Sequence, residues 1–221
     1  MRIASKLERT SLGLEPKSKY YIIPEGEKTE IQYFCGVRDN HEELNIKPLI
    51  EIIPIENDEN EKGQSHPKEK INNFNKDLEE GKFTFDKDID KVCFVIDRDK
   101  QNVSGDQLNE FIKACKQNKY EVYLSNPTFE IFLIMHDDIV LKLNKQEMYE
   151  NRRNGKRGKR FLELKLSEIF GCSKTKLNFE KFKPNIKKAI SNEKHFCEDL
   201  EKLENELGSN LGTLLDSIIE D

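Results

Sequence analysis

Residues 91–99 read KVCFVIDRD. Five apolar residues in a row, Val92 to Ile96, stop abruptly at Asp97-Arg98-Asp99. A half-exposed strand alternates apolar and polar residues, whereas a strand covered on both faces reads as an unbroken apolar run. The same pattern occurs at 19–26, KYYIIPEG, where Pro24 and Gly26 close the run around Glu25. Further strands read at 48–55, PLIEIIPI, and at 120–127, YEVYLSNP, the last stopped by Pro127.

Helical patterns separate these strands. Residues 28–38 place Ile31, Phe34 and Cys35 on one side, and Thr29 with Gln32 fits a capping box. A polar loop over 56–67 leads to a surface helix over 68–80. Residues 104–118 place Leu108, Phe111, Ile112 and Cys115 on one face, and TFEIFLIMH (128–136) reads as a buried helix. The β-α-β-α-β-α-β-α order predicts an α/β fold, a mostly parallel sheet flanked by helices. Residues 1–18 read as a mobile, mildly basic leader and 19–136 as the α/β domain. Residues 137–221 read as a basic loop and a helical C-terminal appendage packed on that domain. Its helices are expected at 161–170, 184–207 and 211–219, the long one carrying Ile186, Ile190, Cys197, Leu200, Leu203 and Leu207.

Composition narrows the function classes. The chain has 221 residues, with 13 Phe and 6 Tyr available for a core despite 36% charged residues. No apolar run is long enough to span a bilayer, and the N-terminus lacks the apolar core of a signal peptide. The five cysteines form no C-x-x-C pair and read as free thiols in a reducing cytoplasm. There is no G-x-S-x-G elbow for serine hydrolysis and no phosphate-binding G-x-x-x-x-G-K-[ST] loop. A net charge of −5 does not announce a nucleic-acid binder. The stretch 150–160, ENRRNGKRGKR, runs against that average, with Arg152, Arg153, Lys156, Arg157, Lys159 and Arg160. It reads either as a solvated surface loop or as a phosphate-neutralising one, and the second reading is preferred.

Ligands in open parallel sheets bind outside the carboxyl ends of the strands. Glu25 ends one strand, and Asp97 and Asp99 end another with side chains on the same side of an extended chain. If the two strands are neighbours, the acids meet across about 5 Å. Such a cluster repels itself unless a cation joins it, and all-oxygen donors suit Mg²⁺ or Mn²⁺. Taken singly, each acid has an ordinary explanation; Glu27 and Glu30 also suit the first turn of a helix. Ser125 and Asn126 reach the same edge, Thr128 is placed to cap the next helix, and Glu130 falls in its first turn. Asn126 and Glu130 either fix that turn or complete a metal or phosphate shell. His136 ends the apolar helix, where packing or capping competes with a supporting role behind the site.

A strand ending in Glu-Gly followed by a strand ending in DxD resembles the Toprim fold of topoisomerases, primases and certain nucleases. The blocks IIPEGEKTEIQYF, VCFVIDRD and SNPTFEIFLIMH resemble the RloB family, which takes in the AbiL abortive-infection component. NLGTLLDSII resembles that family's C-terminal block, with Leu-Gly-Thr where Pro-Ser-Thr is expected. The resemblance implies Glu25 as acid/base or metal ligand, Asp97 and Asp99 as metal ligands, and Glu30 as a ligand to a second ion. It implies a Mg²⁺-dependent nuclease acting on DNA or RNA (tRNA in some related systems). It further implies an anti-phage effector working with an RloA-like AAA-type ATPase. The alternative is a non-catalytic module that binds nucleic acid or the ATPase on a Toprim-like scaffold.

Overall fold

The computed structural model describes residues 17–26, 28–47, 50–54, 67–98, 103–156 and 158–220. The leader through residue 16, Glu27, the loop over 55–66, Asp99 and Arg157 lie outside the described residues. Five strands, β1 (Ser18–Pro24), β2 (Ile50–Pro54), β3 (Lys91–Asp97), β4 (Glu121–Asn126) and β5 (Gly208–Ser209), form one sheet in the order β2-β1-β3-β4-β5. The first four run parallel, and β5 pairs antiparallel with β4. The helices are α1 (Thr29–Asp39), α2 (Pro67–Glu79), α3 (Gly105–Gln117), α4 (Glu130–Ile134), α5 (Lys145–Glu150), α6 (Phe161–Phe170), α7 (Ile186–Glu193) and α8 (Leu211–Ile218).

The unbroken apolar runs are explained by what covers them. Tyr20, Ile22, Cys93 and Val95 point to a core shared with α1, α4, α6, α7 and α8. Their neighbours Tyr21, Ile23, Val92, Phe94 and Ile96 point to the opposite core, shared with α2 and α3. Period-2 alternation thus sends alternate residues into two separate cores. The 137–221 region contributes Met148, Leu162, Leu166, Phe182, Ile186 and Leu214 to the first core and β5 to the sheet. All five cysteines are free, and among the described residues no helix is long and apolar enough to cross a membrane.

Three local expectations are corrected. The helix expected over 184–207 stops at Glu193. Its later apolar residues serve opposite faces of the sheet: Phe196 and Leu207 pack on the first core, Cys197, Leu200 and Leu203 on the second. One straight helix cannot serve both, so the chain wraps round the β4 edge in turns and returns as β5. Thr29 and Gln32 do not form a capping box. Lys28 occupies the cap position, Thr29 Oγ1 donates to Lys174 O (2.7 Å), and Gln32 binds Thr175 O (3.2 Å) and the Leu177 N–H (2.8 Å). Thr128 caps nothing either. Phe129 precedes α4, and the Thr128 hydroxyl takes a bond from Asn151 Nδ2.

The outer edge of β4 is finished by a side chain. Asn210 Oδ1 accepts the Leu124 N–H at 2.6 Å and its Nδ2 donates to Val122 O at 3.2 Å, as a neighbouring strand would do. Asn210→Ala is expected to leave two buried backbone groups without partners and to cost about 2–4 kcal/mol in urea unfolding. A cost below about 0.5 kcal/mol would show that the edge has another way to satisfy these groups.

Candidate active site

The register of β1 and β3 places Pro24 opposite Val95. Glu25 continues the ladder beyond the strand, its N–H donating to Val95 O at 2.7 Å. Its carboxylate turns across and accepts the Asp97 N–H at 2.9 Å. Lys70 of α2 donates to Pro24 O and Glu25 O at 3.1 and 3.5 Å, holding the end of β1 from the other face. Two acids singled out in the sequence therefore meet at the carboxyl edge of adjacent parallel strands.

Two more join them. Glu30, in the first turn of α1, and Glu130, in the first turn of α4, are each only 6% exposed. Burial pushes the Asp97 carboxyl well above the usual range, and Glu30, Glu25 and Glu130 push it further, against one bond from the Phe129 N–H. Burial likewise raises Glu30, to about 7. Its own N–H and Lys174 oppose the rise, while Glu130 and Glu25 add to it. Asp97 and Glu30 thus resist ionisation beside neighbouring carboxylates, as like charges in a poorly solvated site do. Glu130 thereby belongs with the acids, beyond any role in shaping its turn.

The donor set contains only hard oxygens and carries excess negative charge, which fits a divalent cation such as Mg²⁺ or Mn²⁺. Among the described residues, no three His, Cys, Asp or Glu side chains form a closed metal-holding group. The acids converge on the edge without completing a ligand shell.

Gly26 lies between these parts. A methyl group there would overlap the Glu30 carboxylate. Gly26→Ala is expected to displace Glu30 and, if the edge holds Mn²⁺, to weaken that binding by about 10–100-fold in calorimetric titration, with circular dichroism unchanged. Unaltered Mn²⁺ affinity would remove Glu30 from the site.

The other candidates separate. Asn126 Nδ2 donates to Leu203 O at 2.6 Å, so this buried side chain ties β4 to the chain before β5. His136 is fully buried. Its Nε2 meets the Tyr33 hydroxyl at 3.0 Å, its Nδ1 meets the carbonyls of Phe132 and Leu133, and burial lowers it to about 4. It is a neutral packing residue among aromatic rings. Arg98 binds Glu204 and Val103 O rather than the acids.

The basic stretch is a hairpin rather than an irregular loop. Arg153 and Arg160 pair antiparallel, and Asn154 N–H bonds Lys159 O at 3.0 Å. Arg152, Arg153, Lys156 and Lys159 are exposed, with Arg152 on Glu150 at 2.9 Å. Asn151 roots the hairpin beside the acids. Its amide bonds Thr128 (3.4 Å), next to the Phe129 that holds Asp97, and its Oδ1 accepts the Leu162 N–H (3.0 Å).

Lys174 was not legible in the sequence. Thr29 holds its carbonyl, its ammonium pairs with Glu163, and Glu163 accepts the Arg160 N–H at 3.4 Å. Burial lowers the lysine most, but the Glu163 bond, the Glu130 charge and the Glu163 charge together outweigh it and leave a net rise. Nothing around residue 174 marks it; the only trace is the Thr29–Gln32 pair, which resembles a cap and serves as a clamp.

Fold and site together define a doubly wound α/β protein whose acids gather at the carboxyl edge, flanked by a basic hairpin. The chain belongs to the RloB-like protein family, matched over residues 20–221. No curated protein and no solved structure matches it.

Proposed function

We propose that this protein is a Mg²⁺- or Mn²⁺-dependent phosphodiesterase on a Toprim-like scaffold, a nuclease serving as an anti-phage effector alongside an AAA-type ATPase. The observation that carries this reading is the meeting of Glu25, Glu30, Asp97 and Glu130 at one sheet edge, where Glu25 and Glu130 push up both Glu30 and Asp97. Glu25 and Asp97, with Asp99 two residues further and Glu30, would hold the ion. When bound, the ion supplies polarisation of a phosphoryl oxygen and a nucleophilic water at neutral pH. Glu25 keeps its carboxylate at the strand end through the Asp97 N–H, where it can take the proton of an attacking water. Phe129 N–H orients Asp97, and the exposed arginines and lysines of the hairpin draw a polyanion towards an edge that would otherwise repel it.

The test is incubation of the protein with total RNA and with plasmid DNA, with and without Mn²⁺, beside calorimetric Mn²⁺ titration. Metal-dependent cleavage of either substrate supports the reading. A protein that neither binds Mn²⁺ nor cleaves, with the ATPase partner added as well, overturns it.

A further inference from the structure

Beside the hairpin, α6 and residues 171–181 enclose an open groove of about 940 Å³. Lys159, Lys176 and Lys181 line it, and its acid, Glu180, is already paired with Lys183 at 3.0 Å. Lys159 donates to Ser167 at 2.8 Å, and Lys181 is turned onto Phe170 O. Ser173 lies on the groove wall, and the carbonyl of the next residue, Lys174, is held by Thr29, the residue before Glu30. The turn cannot drift from the acids. Thr29 and Gln32 bind it at three points, at 2.7, 3.2 and 2.8 Å, and Glu30 stands between them in the same helical turn. A fixed positive charge thus joins a basic groove to an acidic centre.

We propose that this groove carries the phosphate backbone of a nucleic-acid strand, and that Lys174 contacts the phosphate nearest the acids. This rests on the phosphodiesterase reading and adds to it the path of the substrate. Without substrate the Lys174 ammonium is parked on Glu163. An arriving phosphate competes for it, so Glu163 acts as a brake on binding. Glu163 also accepts the Arg160 N–H, so release of Lys174 leaves that acid with a partner.

The test is fluorescence anisotropy of a labelled oligouridylate with the full chain in EDTA, so that binding is read without cleavage. The Lys159→Glu, Lys176→Glu double variant is expected to bind on the order of 10-fold more weakly. Lys174→Met is expected to lower the slope of log affinity against log salt by about 0.7, one phosphate contact to a single strand, and Lys174→Arg to restore it. Glu163→Gln, which keeps an oxygen for the Arg160 N–H, is expected to bind severalfold more tightly. Loss of a merely structural ion pair would shift melting but leave the salt slope unchanged. Wild-type affinity and slope in all four variants, or no binding by the wild-type chain, overturns the groove. If the lysines govern binding but the chain neither binds Mn²⁺ nor cleaves, with the ATPase partner added as well, the groove stands and the phosphodiesterase reading falls. If the chain cleaves and the variants bind normally, the groove falls alone.

Discussion

Asp97→Asn is expected to give a protein that melts higher and no longer cleaves. The Asp97 carboxyl is buried against Glu30, Glu25 and Glu130, and its ionisation is opposed by all of them. A group raised in this way penalises the folded state above its unfolded value of 3.8. Asparagine has no such charge and keeps an oxygen for the Phe129 N–H. In metal-free buffer near pH 8 the variant should gain about 1–2 kcal/mol, a few degrees in melting temperature for a chain of this size. The gain should vanish below about pH 4, where the wild-type carboxyl is protonated folded and unfolded alike. With Mn²⁺ the order should reverse. An ion held by the folded wild type at one hundred times its dissociation constant adds about 2.7 kcal/mol, which the variant cannot match. Cleavage should fall on the order of 10³-fold. Thermal melts with and without Mn²⁺, alongside a nuclease assay, check all three. Full activity in Asp97→Asn would sink the site, and lower stability without metal would show that the acids are not in mutual conflict.

The signals that were legible in the sequence are those repeated in many residues. Apolar runs located β1, β3 and β4, the first two ending in acid, because burial on both faces leaves a pattern that no single side chain can blur. The meeting of Glu25 with Asp97 followed from strand order, which the α/β alternation constrained. What escaped depends on one or two atoms. β5 spans only Gly208–Ser209, too short for any periodicity, and Asn210 completes the edge through a side chain. The Thr29–Gln32 pair has the chemistry of a cap, yet both side chains bind a turn about 145 residues away. The apolar spacing over 184–207 fits a helix, but spacing does not say that two cores share the residues. Glu130 gave a divided signal, since an acid in a first helical turn is ordinary until the turn faces Asp97.

The largest stability effect is expected away from the acids, at Glu193. α8 begins without a side-chain cap, because Asn210, in the cap position, spends its amide on β4. The first N–H groups of a helix need acceptors, and their end of the helix favours negative charge. Glu193, 1% exposed, supplies the acceptor from α7. Its carboxyl accepts the Gly212 N–H at 3.0 Å and bonds the Ser209 hydroxyl, whose oxygen takes the Leu211 N–H at 3.1 Å. Gly212 has to be glycine here, since a methyl would overlap that carboxylate. Burial still dominates and pushes Glu193 up to about 8, with Glu198 adding to it. Between its ordinary value of 4.5 and about 8 the folded chain holds a proton that the unfolded chain has released. Stability from this group is therefore full below pH 4.5, falls as pH rises through the window, and is level above it, a total of a few kcal/mol. Glu193→Gln removes the titration and keeps an acceptor for Gly212, so its stability should fall less steeply than the wild type's from pH 5 to 8. Glu193→Ala strands the buried Gly212 N–H and opens a cavity, at about 3 kcal/mol or more. Urea unfolding of the three proteins across that range measures both effects. Parallel pH profiles for wild type and Glu193→Gln would mean that the carboxylate is ionised and comfortable at the α8 terminus, and that the helix end outweighs burial.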